Sequence, residues 1–238
     1  MSNPWDALSK KFNSRKNITE INPDAADNIL IAWPPMINQI NKHFEKNISI
    51  LDYGCGTGAL SEKLWSLGYR RIVSMDGSQA MISIANNNYG DHISFVRGTA
   101  ETKLITELVD VIIGSMVFQF IEDIETLFKN LIDILKPQGL LIFAVHNPEV
   151  VKTAIERKLT LFTDFQSAEN PRKGLIHLGT ASIPIFIRTT AEYDEITCRL
   201  GLIKVFENRP PFTKEFLDNY PTEVPDVSNF LVLGYTKK

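Results

Sequence analysis

The residues most able to do chemistry gather at Asp52-Tyr53-Gly54-Cys55-Gly56-Thr57-Gly58, where an acid precedes three glycines at alternate positions. Before them Ile48 to Leu51 is apolar and β-branched, as in a buried strand, and after them Leu60, Leu64, Trp65 and Leu67 follow a helical period. The glycines therefore occupy a strand-to-helix turn. Residues without a Cβ let the backbone approach a ligand there, and the helix start offers free N–H groups. Two ligand classes suit such a turn. Gly54, Gly56 and Ala59 satisfy the G-x-G-x-x-G/A dinucleotide fingerprint, which holds a pyrophosphate at the helix start. Asp52 would repel a phosphate so close by and suits a ligand bearing positive charge. Asp76 ends the next apolar run, Arg71 to Met75, and its two oxygens can accept hydrogen bonds from both hydroxyls of a ribose.

These groups need strands that deliver them to one edge of a sheet, and the remaining periodicity supplies the strands. The reading is an α/β, Rossmann-like, doubly wound sheet of seven strands, mostly parallel with an antiparallel C-terminal strand. Strands are expected at Ile48 to Leu51, Arg71 to Met75, Ile93 to Val96, Leu108 to Ser115 and Leu140 to Val145. Helices are expected from about Ser78, as N-cap, to Asn88, and from Ile121 to Leu135, the latter closed by Lys136-Pro137-Gln138-Gly139. Leu202 to Phe206 and Phe230 to Tyr235 are strand-like, and the Pro-rich loop between them is short for a helical crossover, so they should be antiparallel. Such an ending disfavours a dinucleotide fold, which more often continues in parallel.

The chain has 238 residues and a formal net charge of −3, enough for one α/β domain with an added cap. No basic stripe points to nucleic acid, and no apolar run approaches the roughly 18 residues of a membrane span. Met1 to Glu20 lacks the apolar stretch of a secretory signal, which gives a cytoplasmic expectation. Cys55 and Cys198 lie far apart, so no disulfide framework is expected, and the scattered histidines and cysteines form no metal constellation.

The whole pattern resembles the class I S-adenosylmethionine-dependent methyltransferases, of the small-molecule kind with a type 11 or type 12 methyltransferase domain. Asp52 to Gly58 matches their first motif, D-x-G-x-G-x-G. Met75-Asp76-Gly77-Ser78-Gln79-Ala80-Met81, Phe95-Val96-Arg97-Gly98-Thr99-Ala100-Glu101, Asp110 to Phe120 and Leu135 to Ile142 resemble the motifs that follow, in order. The resemblance implies a single methyltransferase domain over 1–238: an N-terminal helical segment (1–46), a cofactor-binding core (47–147), a lid insertion (148–188) and a C-terminal helix with antiparallel strands (189–238). It implies S-adenosyl-L-methionine as cofactor, bound through Asp52, Gly54, Cys55, Gly56 and Gly58 at the methionine end, Asp76 and Gly77 at the ribose, and Met81 beneath adenine. Thr99 stands where the family often has an acid, which shifts adenine recognition to Ala100 or Glu101. Ser115 and Met116 are expected under the methionine moiety, with Gln119 and Phe120 facing a small-molecule acceptor.

The insertion reads as a helix from Pro148 to Leu161 and a hairpin of Gly174 to Leu178 with Ile183 to Arg188, before a last helix from Thr190 to Leu200. Its apolar content suggests a pocket for a small molecule. His146, after the fifth strand, is the first candidate for an acceptor-side general base and His177 the second. Nucleic acid methylation would call for an Asn/Asp-Pro-Pro-aromatic motif, and Ser115-Met116-Val117-Phe118 is not one. An S-adenosylmethionine-binding protein without turnover and an NAD(P)-dependent oxidoreductase are the alternatives.

Overall fold

Strand alternation sorts the apolar residues onto two faces of one sheet. Ile50, Val111, Ile113, Ile142 and Val232 join one cluster of buried side chains, whereas Leu51, Ile112, Leu141, Phe143 and Leu233 join another. The computed structural model describes residues 3–12, 21–99, 107–167 and 172–238. Its main sheet contains β1 (Ser49–Tyr53), β2 (Arg71–Asp76), β3 (Ser94–Arg97), β4 (Val109–Ser115), β5 (Leu135–His146), β9 (Leu202–Asn208) and β10 (Phe230–Lys237). A second, three-stranded sheet holds β6 (Phe162–Thr163), β7 (Lys173–Leu178) and β8 (Ala181–Phe186). The helices are α1 (Pro4–Leu8), α2 (Pro23–Asp27), α3 (Trp33–His43), α4 (Ala59–Ser66), α5 (Gln79–Tyr89), α6 (Ile124–Asp133), α7 (Pro148–Glu156), α8 (Thr190–Arg199) and α9 (Lys214–Asn219).

The main sheet runs β3-β2-β1-β4-β5-β10-β9, with β10 antiparallel to both its neighbours and every other pairing parallel. This is the expected doubly wound architecture with seven strands. The strand order reverses between β1 and β4, so the loops after those strands diverge and leave a crevice at their carboxyl ends. Met36, Ile40, Leu60 and Leu64 cover one face through α3 and α4, and Phe128, Leu131 and Tyr193 cover the other through α6 and α8.

Three local expectations are corrected in this fold. The helix read from Ile121 to Leu135 is shorter: Asp123 caps it by accepting from the Thr126 N–H, and it ends at Asp133. Lys136 to Gly139 does not close a helix. Val109 pairs with Leu135 and Val111 with Leu140, so these four residues bulge out within β5, with Gln138 at a φ of 62°. Leu135, with no exposed surface, holds the early start of the strand. The Pro-rich loop before β10 also contains α9, capped by Thr213 and anchored by buried Phe216.

A third cluster lies off the sheet. Leu8 of α1, Val150 and Val151 of α7, and Phe162, Ile176 and Ile183 of the small sheet pack with Val224. The insertion helix is also shorter than expected, since Lys158 takes a φ of 57° just beyond it.

At the opposite edge from the crevice, Asp110 holds three elements together. Its Oδ2 accepts from the Ser49 N–H and hydroxyl at 2.7 Å each and from Lys136 Nζ at 2.8 Å. Partial burial pushes its carboxyl up, but the bonds from Lys136 and Ser49 outweigh that and hold it below its ordinary value. Asp110→Ala should cost roughly 1–3 kcal/mol of stability at neutral pH. Because the folded carboxyl is the stronger acid, this stabilisation is complete above about pH 4 and fades as pH falls through the lowered value. Urea unfolding of both proteins from pH 7 to pH 3 checks it; a constant difference across that range would contradict the assignment.

Candidate functional site

The glycine turn is shaped by three different demands. Gly54, Gly56 and Gly58 all have positive φ (72°, 55° and 84°), where a side chain is strained. A Cβ on Gly54 would sit 2.4 Å from Val117 Cγ2, and one on Gly58 would sit 2.7 Å from the Phe95 ring. At Gly56 a Cβ would meet nothing within 4 Å. Gly54 and Gly58 are therefore packing glycines, and Gly56 is the one whose open face borders a cavity of about 530 Å³. Cys55 is buried, and burial raises its thiol well above the usual range, so it fills the turn as a neutral group.

Two acids from adjacent strand tips stand at this turn. Asp76 Oδ2 accepts from the Gly56 N–H at 2.9 Å and Oδ1 from the Ser78 N–H at 2.8 Å. Burial pushes its carboxyl up, against those two bonds. Read from sequence alone, Asp76 is only a ligand-facing tip; in the fold it also clamps the turn to the start of α5. Asp52 is 1% exposed and accepts from the Ser61 hydroxyl, which lies 2.7 Å from Ser74 Oγ. Burial raises Asp52 to about 7, opposed by Ser61 and assisted by the nearby Asp76.

Sequence reasoning missed a third acid, Asp6. Its Oδ1 accepts from the Ser78 hydroxyl and from the Ala80 N–H at 3.2 Å, which buckles α1 onto the start of α5. Those bonds, Ser78 first, lower its carboxyl. Ser78 was legible as an N-cap, and its side chain accepts from the Met81 N–H as expected; nothing local in Asp6 signalled its distant partner. Gly77, Met81 and Thr99 line the same end of the cavity, while Ala100 and Glu101 lie outside the described residues.

The ends of β4 and β5 form the other wall. Met116 takes a φ of 56° and donates its N–H to the Ala144 carbonyl, a strained turn just past β4. Ser115 Oγ accepts from Trp33 Nε1 at 3.2 Å and donates to Asn28 Oδ1 at 2.9 Å. Gln119 is 1% exposed, lines the cavity and leaves its Oε1 without a donor. Phe120 lines it too, edge-on to Trp5 at 4.7 Å between ring centroids. His146 stands beside Phe162 at 5.4 Å with Nδ1 buried and unpartnered. Burial lowers it to about 4, which leaves a neutral imidazole that holds a proton poorly at pH 7. His146 thus fits a hydrogen-bonding role better than that of a base.

His177 is corrected outright. Ile176 and Leu178 line the cavity, so strand alternation turns His177 to the opposite face of β7. There its two ring nitrogens lie 2.8 Å from Thr163 Oγ1 and 2.8 Å from Ser182 Oγ.

Another group missed in the sequence comes from the N-terminal helices. Between α2 and α3, Asn28–Ala32 is a π-helical stretch in which the Trp33 N–H bonds to the Asn28 carbonyl. Pro34 and Pro35 follow and cannot donate to the preceding turn, which accounts for the widened register. The stretch presents Asp27, Asn28 and Trp33 to the cavity. Asp27 accepts from the Asn28 N–H at 2.7 Å and from Asn229 Nδ2 at 3.2 Å. Burial raises its carboxyl against both bonds. The Pro34-Pro35 pair was the available signal. Among the described residues no group of three or more histidine, cysteine or acidic side chains could hold a metal, and no helix is long and apolar enough to cross a membrane.

Residues 51–143 match the family described as "Methyltransferase domain". The chain is similar to a malonyl-[acyl-carrier protein] O-methyltransferase from Priestia megaterium, 31% identical over 58% of this chain and 50% of that protein. It is also similar to a ubiquinone biosynthesis O-methyltransferase from Rickettsia canadensis, 28% identical over 47% of this chain and 49% of that one. The chain thus spans about half the length of these relatives. Its fold is that of an S-adenosylmethionine dependent methyltransferase from Mesorhizobium loti, with a TM-score of 0.63, 18% identity and coverage of 84% and 96% of the two chains.

Two expected outcomes follow from the turn. Gly54→Ala and Gly58→Ala should lower the melting midpoint more than Gly56→Ala, because all three incur left-handed strain of about 1–2 kcal/mol but only the first two add a clash. Equal losses in thermal scans would show that the three positions are equivalent. Asp52 titrates higher when folded than its ordinary 3.8, so ligand-free stability should decline as pH rises from about 4 to about 7, by a few kcal/mol. Asp52→Asn should flatten that slope and be the more stable protein at pH 7; parallel slopes in denaturant titrations would refute the burial argument.

Proposed function

We propose that this chain, with its class I methyltransferase sheet and a methyltransferase-domain match over residues 51–143, is an S-adenosylmethionine-dependent methyltransferase acting on a small molecule. The observation that carries the reading is the open face of Gly56 between the two acids Asp52 and Asp76, at the reversal point of the sheet. A negative site suits the positive charge of a sulfonium and an ammonium better than a pyrophosphate, which also favours it over a nicotinamide dinucleotide.

The residues fit the ligand end by end. Asp76 spends one lone pair of each oxygen on the Gly56 and Ser78 N–H groups and keeps another for a ribose hydroxyl. Met81 and Thr99 flank the adenine side, and Ser115, Met116 and the Gly56 backbone flank the methionine side. S-adenosylmethionine, when bound, would supply a methyl carbon that an acceptor atom can attack in line with the carbon–sulfur bond, the thioether leaving with that bond's electron pair. The chain's contribution is to align the acceptor and exclude water: Trp5, Phe12, Phe120, Phe162 and Ile176, which belong to one apolar cluster, line the cavity. The domain division into core, lid (148–188) and flanking segments follows the same reading, with the cavity bordered by insertion residues Leu159, Leu161 and Leu178.

Calorimetry should detect binding of S-adenosylmethionine and S-adenosylhomocysteine and none of NAD. Asp76→Ala should weaken that binding about ten- to a hundredfold and also lower the melting midpoint, since two backbone donors lose their acceptor. Formation of S-adenosylhomocysteine with a metabolite panel then separates turnover from binding alone. NAD binding with no response to either sulfur nucleoside would overturn the proposal.

A further inference from the structure

We propose that Asp27, held by Asn28 and Asn229, anchors a hydrogen-bond donor on the methyl acceptor, which makes the substrate a small, largely apolar molecule bearing a hydroxyl or ammonium group. The inference rests on the methyltransferase reading above and names its substrate class.

Asp27 lines the cavity from the π-helical side, remote in sequence from every glycine-turn residue. Each of its oxygens accepts one bond, from the Asn28 N–H or from Asn229 Nδ2, and a carboxylate oxygen can accept another. Its surroundings tie it to the reacting region from two directions. Asn28 Oδ1 accepts from Ser115 at the end of β4, and Asn229 directly precedes Phe230, the register partner of His146 at the end of β5. The Asn147 N–H in turn donates to the Asn229 carbonyl at 2.9 Å, which fixes that corner.

A second, independent observation points to the same ligand chemistry. Gln119 lines the cavity and is almost wholly buried, and its Oε1 has no donor while its Nε2 is turned to Met116 Sδ at 3.8 Å. His146 Nδ1 is likewise buried and unpartnered. A buried polar atom without a partner is costly, and a ligand that supplies the missing bond recovers the cost. Asp27 and Gln119 both ask for donors. A carboxylate ligand would bring a second negative charge beside Asp27 and a third acceptor beside Gln119, in surroundings where like charges are poorly screened. Leu159, Phe162, Ile176 and Val224 supply the apolar remainder of the wall.

The test uses the full chain saturated with S-adenosylhomocysteine and three probes of matched shape: 4-ethylphenol, phenethylamine and 3-phenylpropionate. The phenol and the amine should bind at least about tenfold tighter than the carboxylate. Asp27→Asn should erase most of that preference while affinity for S-adenosylhomocysteine is unchanged, which also shows that the variant is folded. If Asp27→Asn loses S-adenosylhomocysteine as well, Asn229→Ala, which removes only a side-chain donor to Asp27, is read in the same way. Carboxylate binding equal to or tighter than the others, a preference that survives the substitutions, or no binding by any probe overturns the anchor. Failure of the wild-type chain to bind S-adenosylhomocysteine instead removes the methyltransferase reading, and the anchor with it.

Discussion

Asp76 is the point on which the rest of the site depends. Backbone N–H groups at a left-handed turn and at a helix start cannot both be satisfied by regular structure, so each needs an outside acceptor. One carboxylate answers both, through Gly56 and Ser78, and thereby fixes the distance between the turn after β1 and the start of α5. Ser78 passes the constraint onward by bonding Asp6, so that the short helix α1 is set over the same corner. The order of events is physical: the sheet register places Asp76, Asp76 places the two turns, and the turns leave Gly56 facing open space.

The acids at this corner are costly to bury together. Burial raises the proton affinity of both Asp52 and Asp76, and a neighbouring charge adds to it, that of Asp76 for Asp52 and that of Asp6 for Asp76. Ser61 and Ser74, both fully buried, form a small hydroxyl relay beneath Asp52 that offsets part of the cost. Such a corner is least stable when both acids are ionised.

The sheet was largely legible because its signals are local. Alternation in Ile50-Leu51 and Val111-Ile112-Ile113 sorts side chains to two faces, and the glycines and Ser78 mark the turns between strand and helix. Lys136-Pro137-Gln138-Gly139 was misread because the same residues serve a turn or a bulge, and only pairing with β4 decides. The long-range contacts around the cavity were far less legible. Asp27, Asn229, Asp6 and Trp5 act through partners that are distant in the chain, and no spacing rule reports such a meeting. His177 failed for the opposite reason, since its residue type suggested chemistry but its strand parity turned it away.

The third apolar cluster, formed by α1, α7, the small sheet and Val224, shares no buried member with the two that cover the main sheet. Substitutions in separate clusters without common neighbours act on stability almost independently. The apolar wall that α7 and the small sheet give the cavity can therefore be rebuilt without disturbing the sheet that carries Asp52 and Asp76, while α1 stays fixed because Asp6 ties it to Ser78. For an engineer or for evolution this division makes the scaffold a chassis: one half is kept for stability, and the other is free to drift toward new partners.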